Sequence, residues 1–398
     1  MSGEWQAVGF WPESGLAILA NRQQPKMTNS KFLFARFLEK DILLEQGRLL
    51  YSLLSAFSSM GYRISLFDNL APDSLEKYGK LVFSLEGLTL ADSPPPNPED
   101  WIYLYDKEDK ALGKYEWRKK IEVRDDLFSS YCFKHPVIMP FPVHPVHSGP
   151  DLEQRLLHCR ASEKKVRVFF SGDTKNYGRN RIRYPQTKLP RLEIINTVLE
   201  RMGDDAILVK DLSTLAELHD SAYTNKCVIV DTGRIWIDDR EWLRNLAKAD
   251  FFLAPPGIVM PMCHNLVEAM AVGTVPITNY PEWFDPKLTH MENCIAFDDK
   301  DDLINKIRFA LEMGTDQIAR MRGNAFGHYE THLRASAFTR GIESHPDRKI
   351  VVLIYTEGNV ARNWAKLNKR SILMRGTTPA GDKGWLGQVS ECLFPWGS

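Results

Sequence analysis

The chain has 398 residues, of which 43% are hydrophobic and 26% are charged, and its 51 basic residues balance 51 acidic ones. At roughly 150 residues per domain, this length allows two or three domains, each large enough to bury a core. The apolar content argues against a disordered chain, and the zero net charge argues against a protein that binds nucleic acid or membranes through a basic field.

The start of the chain and its cysteines predict a cytoplasmic protein without a membrane span. Residues 1–5 lack the cationic start and apolar run of a secretory signal, and no stretch approaches the roughly 18 consecutive apolar residues of a membrane helix. Six cysteines are scattered without a C-x-x-C pair, which predicts free thiols in a reducing compartment. They are Cys132, Cys159, Cys227, Cys263, Cys294 and Cys392.

The first half of the chain begins with a strand–helix–strand pattern. Residues 31–38 are an apolar run short enough for a buried strand, and apolar residues between Leu49 and Met60 recur near the 3.6-residue period of a helix. Gly61 follows where a left-handed helix cap favours glycine, and residues 62–67 are typical of a second strand. The pattern predicts a βαβ unit and therefore a parallel sheet.

Two more strands are predicted at residues 81–85 and 101–105, with a proline-rich loop between them. The prolines within residues 139–147 exclude a helix or a central strand, because proline donates no ladder hydrogen bond. This segment predicts an extended connector, and we place a domain boundary near residue 150.

The second half alternates strands and helices more regularly and predicts a second doubly wound α/β domain that ends near residue 335. The predicted strands are 166–170, 206–209, 227–230, 251–254, 275–277 and 294–297. The predicted helices are 190–202, one opening at residue 238, 263–272, one near 300–312 and 316–334. Residues 336–398 contain a candidate strand at 350–355 and a candidate helix at 360–369, but the pattern gives this tail no clear role.

The first candidate ligand-binding loop follows the predicted strand 166–170. The stretch from Asp173 to Arg191 holds six cations and a single acid in an otherwise neutral protein. Ligands of open α/β sheets bind beyond the carboxyl ends of the strands, so this stretch suits a diphosphate; the alternative is a solvated basic loop. The residues assigned to the diphosphate are Lys175, Arg179 and Arg183, with Gly172 allowing a close approach of the backbone.

The second candidate is the segment 251–277. A Pro/Gly turn, Pro255 to Gly257, follows a strand, and the N-terminus of a helix comes shortly after it. Free N–H groups at a helix N-terminus suit a phosphate. Glu268 lies inside this otherwise apolar helix, where a vicinal diol such as a ribose would supply two donors to its carboxylate. The alternative is an exposed glutamate on a polar helix face.

The segment 251–277 resembles the donor-site motif of GT-B-fold glycosyltransferases, most closely that of exostosin-like enzymes. The shared features are a strand, a Pro/Gly loop, a helix with Glu268-Ala269-Met270, then Gly273 and Val275-Pro276-Ile277. The run Phe169-Phe170-Ser171-Gly172, with Gly178 and Arg179, also resembles the exostosin-like opening of that domain. The chain departs from the family at Pro256, where exostosin-like proteins often carry an arginine.

The resemblance implies two Rossmann-like domains that face a cleft. The first, residues 1–150, would bind a glycan or another hydroxyl acceptor, and the second, residues 151–335, would bind a nucleotide sugar. It places Glu268 on the ribose and implies no metal or other cofactor, with Asn265, Thr274 and Gly257 as further donor contacts. Two alternatives remain: a GT-B nucleotide-sugar epimerase, and a non-catalytic carbohydrate-binding or scaffold protein.

The resemblance also places the catalytic base of an inverting enzyme in the first domain. Carboxylates at predicted strand ends there are Glu86, the first choice, and Asp68 and Asp106. His144 and His147 lie in the proline-rich connector, whose backbone lacks the helical geometry that directs two such side chains at one metal ion. His264 opens the Glu268 helix, where it either faces a phosphate or caps the turn.

Overall fold

The computed structural model describes residues 31–39, 42, 45–67, 75–149, 151–174, 188–209, 211, 225–235, 237–258, 260–363, 366 and 370–371. The strands are β1 (Lys31–Arg36), β2 (Tyr62–Phe67), β3 (Leu88–Ala91), β4 (Trp101–Tyr105), β5 (Lys119–Arg124), β6 (Val137–Ile138), β7 (Val166–Gly172), β8 (Ala206–Val209), β9 (Cys227–Asp231), β10 (Ala249–Leu253), β11 (Val275–Thr278), β12 (Ile295–Ala296) and β13 (Lys349–Leu353). The α-helices are α1 (Arg48–Ser58), α2 (Leu152–Arg160), α3 (Arg191–Arg201), α4 (Asp239–Ala247), α5 (His264–Ala271), α6 (Lys300–Glu312), α7 (Thr315–His328), α8 (Ala335–Ser344) and α9 (Glu357–Asn363).

The described strands form two parallel sheets. The first has the order β3-β2-β1-β4-β5-β13-β6, and the second has the order β12-β11-β10-β7-β9-β8. Every paired strand runs parallel to its neighbour, as the predicted βαβ units require. The structure thus confirms the α/β fold class with two doubly wound sheets.

Helix α1 shows why the first unit folds as its sequence predicts. Its apolar stripe, which includes Leu50, Leu53 and Phe57, is fully buried beneath the first sheet. Gly61 follows the helix with φ at +77°, so the predicted left-handed glycine is present, and β2 begins at the next residue.

The predicted strand at 81–85 is wrong. Residues Gly79–Ser84 form a 3₁₀ helix whose Val82 is buried, and the strand that pairs with β2 is β3, four residues further on. A short apolar run has no periodicity that separates a strand from a buried helical turn, so the sequence pattern alone places this strand incorrectly.

The tail that the sequence leaves without a role returns to the first domain. Strand β13 pairs with β5 on one side and β6 on the other. Helix α8 packs on α1, where the Thr339 hydroxyl donates to the Ala56 carbonyl at 2.9 Å and the Phe338 ring lies 6.5 Å from that of Phe57. The first domain therefore contains chain from both ends of the sequence.

The carboxyl ends of the two sheets face each other across the domain interface. Tyr355, two residues beyond β13, donates its hydroxyl to the Trp283 carbonyl beyond β11 at 2.6 Å. Arg48 opens α1 after β1, and its Nη1 lies 3.1 Å from Nε2 of His264, which opens α5 after β10. Residues 139–149, which we call the linker, connect β6 to α2 along the same interface.

The predicted free thiols are present at the cysteines that the structure describes, of which only Cys132 is exposed. Cys392 lies outside the described residues. Among the helices of the described ranges, none has both the length and the apolar character needed to cross a membrane.

Candidate functional site

The second sheet has its switch point between β7 and β10. From β7, the chain builds β9 and β8 on one side and β10, β11 and β12 on the other. A crevice forms at the carboxyl ends of the strands where the order reverses, which is the usual ligand position in such sheets. A small pocket lies there, lined by Phe170 of β7, Phe252 of β10 and residues that open α3 and α5.

Arg191 places a buried positive charge in this pocket. It is the first residue of α3 and is only 3% exposed. Its Nη1 donates to the Asp173 carbonyl at 3.3 Å, and its Nη2 lies 3.8 Å from the Cys263 sulfur. A guanidinium presents several donors in a fixed plane, which suits phosphate oxygens.

Gly172 and Gly257 have structural reasons to be glycine. A Cβ at residue 172 would lie 3.2 Å from Nη1 of Arg191 and 3.1 Å from the Phe170 ring, so this glycine leaves room for the guanidinium. A Cβ at residue 257 would lie 2.5 Å from the Met260 carbonyl oxygen, so this glycine permits the tight turn before α5. Gly172 therefore belongs to the pocket wall through Arg191.

Asn265 is a predicted donor contact that does line the pocket. Its amide donates to the Ser171 carbonyl at 3.4 Å, which ties α5 to the end of β7. Thr274 lies elsewhere. It is fully buried before the start of β11, and its hydroxyl is 3.0 Å from the Leu246 carbonyl oxygen and 3.1 Å from that of Ala249. Thr274 therefore stabilises the amino-terminal edge of the sheet and does not line the pocket.

The Glu268 carboxylate is buried between α5, α4 and the linker, with 1% of the residue exposed. Its Oε2 accepts the indole N–H of Trp242 at 2.6 Å, and its Oε1 accepts the main-chain N–H of His144 at 3.0 Å. His147 is also buried, with Nε2 3.7 Å from Oε1. The exposed-glutamate alternative is wrong, while the ribose role stays a prediction for a carboxylate that already has protein donors on both oxygens.

His264 connects the two domains. Its Nδ1 lies 2.7 Å from the Pro142 carbonyl oxygen, which can only accept, and its Nε2 faces the Arg48 guanidinium, which can only donate. These partners assign the neutral ring with the proton on Nδ1. Burial lowers the pKa of His264 well below its usual value, and His144 and Arg48 lower it further.

Glu45 extends this network into the first domain. Its Oε2 pairs with Nη2 of Arg48 at 2.8 Å, and its Oε1 accepts the Glu357 N–H at the start of α9 at 3.0 Å. Burial raises the pKa of Glu45, and the Arg48 charge opposes that shift. Across the linker, the His144 ring contacts the rings of His264 and Tyr78 edge-on, and burial lowers the pKa of His144 to about 4.

The predicted catalytic carboxylates do not converge on the pocket. Glu86 is exposed and precedes β3, so it lies at the amino-terminal edge of the first sheet, opposite the cleft. Asp106 does follow β4, but its oxygens accept the main-chain N–H groups of Leu38, Glu39 and Lys107 at 2.7–2.8 Å. Asp106 is therefore committed to holding the loop after β1. Asp68 lies outside the described residues.

The predicted diphosphate residues Lys175, Arg179 and Arg183 also lie outside the described residues. Of the same basic stretch, the structure describes Lys188, which pairs with Asp298 at 2.6 Å, and Arg191 in the pocket. Arg191, Trp242, Arg48 and Glu45 are the site residues that the sequence did not single out for a role. Of these four residues, only Arg191 could have been found from the sequence, because it is the last cation of the basic stretch.

An Asp-x-Asp triplet, Asp299 to Asp301, opens α6, and such triplets bind metals in other proteins. Here Asp299 accepts the Asp302 N–H as a helix cap at 2.9 Å, and Asp301 pairs with Arg201 at 2.8 Å. Across the described ranges, no group of three or more His, Cys, Asp or Glu side chains has the geometry to hold a metal ion. Independence from metal stays a prediction.

Known proteins are similar to this chain in structure only. No family model and no curated protein matches it. A glycosyltransferase from Rickettsia africae ESF-5 matches at a TM-score of 0.45 with 9% identity, covering 79% of this chain and 97% of that chain. Anabaena Alr3699/HepE, solved in complex with UDP and glucose, matches at 0.40 with 14% identity, covering 79% and 98%. WaaG, a glycosyltransferase involved in lipopolysaccharide biosynthesis, matches at 0.34 with 11% identity, covering 78% and 98%.

Identities of 9–14% and TM-scores below 0.5 carry no inference about activity. The more specific resemblance to exostosin-like enzymes finds no counterpart among these neighbours.

Proposed function

We propose that the protein is a glycosyltransferase that moves a sugar from a nucleotide-sugar donor to a hydroxyl of a glycan or other acceptor, without a metal ion. The second domain would hold the donor and the first domain the acceptor. The observation that carries this proposal is the buried Arg191 guanidinium in the pocket at the switch point of the second sheet, beside the N-terminal turn of α5.

The chemistry of glycosyl transfer fits this position. The acceptor oxygen bonds to the anomeric carbon, the bond from that carbon to the phosphate oxygen breaks, and the acceptor proton leaves to a base. The diphosphate gains negative charge as it departs, so fixed donors and cations near its oxygens favour the reaction. Arg191 would supply the cation, and main-chain N–H groups at the start of α5 would supply the fixed donors.

The lining of the pocket suits one part of such a donor. Arg191 places a positive charge there, beside the N-terminal turn of α5. A diphosphate is the part of a nucleotide sugar that matches this charge. The ribose would extend toward Glu268, one turn further along α5.

Substitution of Arg191 tests the proposal. Arg191→Lys keeps the charge but loses the planar donor pair, so we expect UDP to bind about tenfold more weakly, which is about 1.4 kcal/mol, while uridine binding stays unchanged. Arg201→Lys, at the exposed end of the same helix, is the matched control and should bind UDP as the wild type does. Titration calorimetry measures these affinities, after a thermal-shift screen of UDP, GDP, CDP and ADP selects the base.

Two outcomes would contradict the proposal. Absence of binding by every nucleoside diphosphate would favour a non-catalytic scaffold. Turnover of a nucleotide sugar without any acceptor, giving its epimer, would favour an epimerase of the same fold.

A further inference from the structure

The two oxygens of Glu268 are held by different parts of the molecule. Oε2 accepts the Trp242 N–H at 2.6 Å, and both residues belong to the second domain. Oε1 accepts the main-chain N–H of His144, which belongs to the linker, at 3.0 Å. The Trp242 bond therefore fixes the carboxylate inside its own domain, while the bond to Oε1 attaches the linker to it.

The linker covers this oxygen closely. His147 follows three residues later, is 3% exposed, and has Nε2 3.7 Å from Oε1. Further along the contact, the Arg155 guanidinium of α2 donates to the His147 carbonyl, and the His264 ring bonds to the Pro142 carbonyl. The linker therefore contacts the second domain at Pro142, His144 and His147.

A carboxylate oxygen has lone pairs for more than one donor, so hydrogen bonding alone does not exclude a ligand from Oε1. Access does exclude it, because the residue is 1% exposed beneath the linker. A ribose hydroxyl reaches Oε1 only after the linker around His144 has moved away.

We propose that the linker is a latch on Glu268, and that the vicinal diol of a bound nucleotide and the His144 N–H compete for Oε1. Binding of the nucleotide is then coupled to release of the linker, because the ribose reaches Oε1 only when the linker has moved away. The competition rests on the proposed nucleotide-binding function, whereas the latch contact itself does not.

The backbone at His144 allows a direct test of the latch. Its φ of −60° is already the angle that proline requires, so His144→Pro removes the N–H donor without changing the backbone angle. His144→Ala is the matched control, because it keeps the N–H and removes the ring. The ring Nδ1 accepts the Val146 N–H at 3.2 Å, so exchange at Val146 is left out of the comparison. Hydrogen exchange, measured by mass spectrometry on overlapping peptides that resolve residues 147–149, reports release of the linker.

Without nucleotide, we expect His144→Pro to speed this exchange about tenfold and His144→Ala to leave it within twofold of the wild type. Glu268→Gln provides a second route, because it places an amide group against one of the two donors and should speed exchange similarly. Circular dichroism checks that each variant is folded. Exchange that is unchanged in both His144→Pro and Glu268→Gln would overturn the latch, whatever the protein binds.

With nucleotide, we expect UDP to speed linker exchange in the wild type and 2′,3′-dideoxy-UDP, which lacks the diol, to leave it unchanged. His144→Pro should bind UDP about tenfold more tightly than His144→Ala does, because the competing donor is gone. Binding of UDP with no change in linker exchange would overturn the competition and leave the proposed function intact. Failure of every nucleoside diphosphate to bind would instead overturn both the proposed function and the competition. The latch contact would then be tested only by the variants measured without nucleotide.

Discussion

For single residues, the sequence predicts the position in an element better than it predicts the partners of the side chain. The sequence pattern predicts Asp106 at the end of a strand, and in the structure it directly follows β4. However, its oxygens accept the N–H groups of Leu38, Glu39 and Lys107, so the carboxylate holds a loop. Such partners follow from where distant loops lie, which residue type and local pattern do not encode.

Asp106→Asn tests this structural role. The asparagine amide keeps one oxygen as an acceptor and replaces the other by an NH₂ group, which would face a main-chain N–H. We therefore expect the free energy of unfolding, measured by urea titration, to fall by about 2–3 kcal/mol. UDP affinity should stay unchanged in the folded variant. Glu39→Gln, at an exposed side chain of the same loop, should cost no more than about 0.5 kcal/mol. Loss of activity in Asp106→Asn with unchanged stability would instead support the predicted role as a base.

Helix α5 shows how far residue-level prediction can go. The sequence identified Asn265 and Glu268 as one motif, and the structure gives their side chains different partners: the Ser171 carbonyl for Asn265, and Trp242 and the linker for Glu268. His264 and Glu268, four residues apart, share the face toward the linker, as helical geometry requires, whereas Asn265 lines the pocket. The shared face was predictable from the spacing, but the presence of the linker opposite it was not.

At the scale of elements, the turn before α1 depends on one glycine. Gly47 has φ at +76°, and a Cβ there would lie 2.5 Å from the Cα of Gly79, the first residue of the 3₁₀ helix that overlaps the wrongly predicted strand. Gly61, after the same helix, has φ at +77° but nothing within 4 Å of its Cβ position. Substitution of the two glycines therefore distinguishes the free-energy cost of a strained backbone angle from the cost of a steric clash.

Alanine at each glycine measures these costs. Gly61→Ala should lower the free energy of unfolding by about 1 kcal/mol, because only the left-handed backbone angle is strained. Gly47→Ala adds a clash with main-chain atoms that cannot move cheaply, so we expect a loss of about 3 kcal/mol or more. Urea titrations compare the two variants, and equal losses would show that the contact with Gly79 is unimportant.

Elements whose partners are close in sequence were predicted well, and elements whose partners are distant were not. The unit from β1 to β2 follows from periodicity and a glycine cap. Strand β13 was recognised only as a candidate strand, because its neighbours β5 and β6 lie more than 200 residues earlier. β5, Lys119–Arg124, was missed because only Ile121 and Val123 of its six residues are apolar, which is too short an alternation to stand out from a loop.

At the scale of the whole molecule, the domain interface buries neutral histidines. Burial at the interface lowers the pKa of His144 to about 4, and it also lowers those of His147 and His264. Inside the second domain, burial lowers the pKa of His328 to about 4 as well. Arg48, Lys77 and Arg155 face this interface and further disfavour the charged rings, while Glu268 opposes the shift at His147. Between pH 6.5 and about 4, the unfolded chain therefore binds protons that the folded protein does not.

This difference makes stability fall as the pH falls. A histidine whose folded pKa is depressed contributes stability above its unfolded pKa, and that contribution is lost as the pH drops toward the folded value. We expect the free energy of unfolding to be roughly 2–4 kcal/mol lower at pH 5 than at pH 7, at about 1.4 kcal/mol for each pKa unit. Urea titrations at both pH values measure it, and His144→Ala should reduce the drop. Equal stability at the two pH values would show that these rings are not buried in their neutral form.

Insertion of β13 between β5 and β6 has a consequence for biosynthesis. While the ribosome is still translating the second domain, the first sheet has a gap next to its edge strand β6, and the edges of β5 and β6 that face this gap have no strand to bond. Residues 151–334 already contain β7 to β12, so the second domain can complete its sheet while the first waits for the last part of the chain. We therefore expect the amino-terminal half of the nascent chain to mature last, and to depend on chaperones until residue 353 has left the exit tunnel.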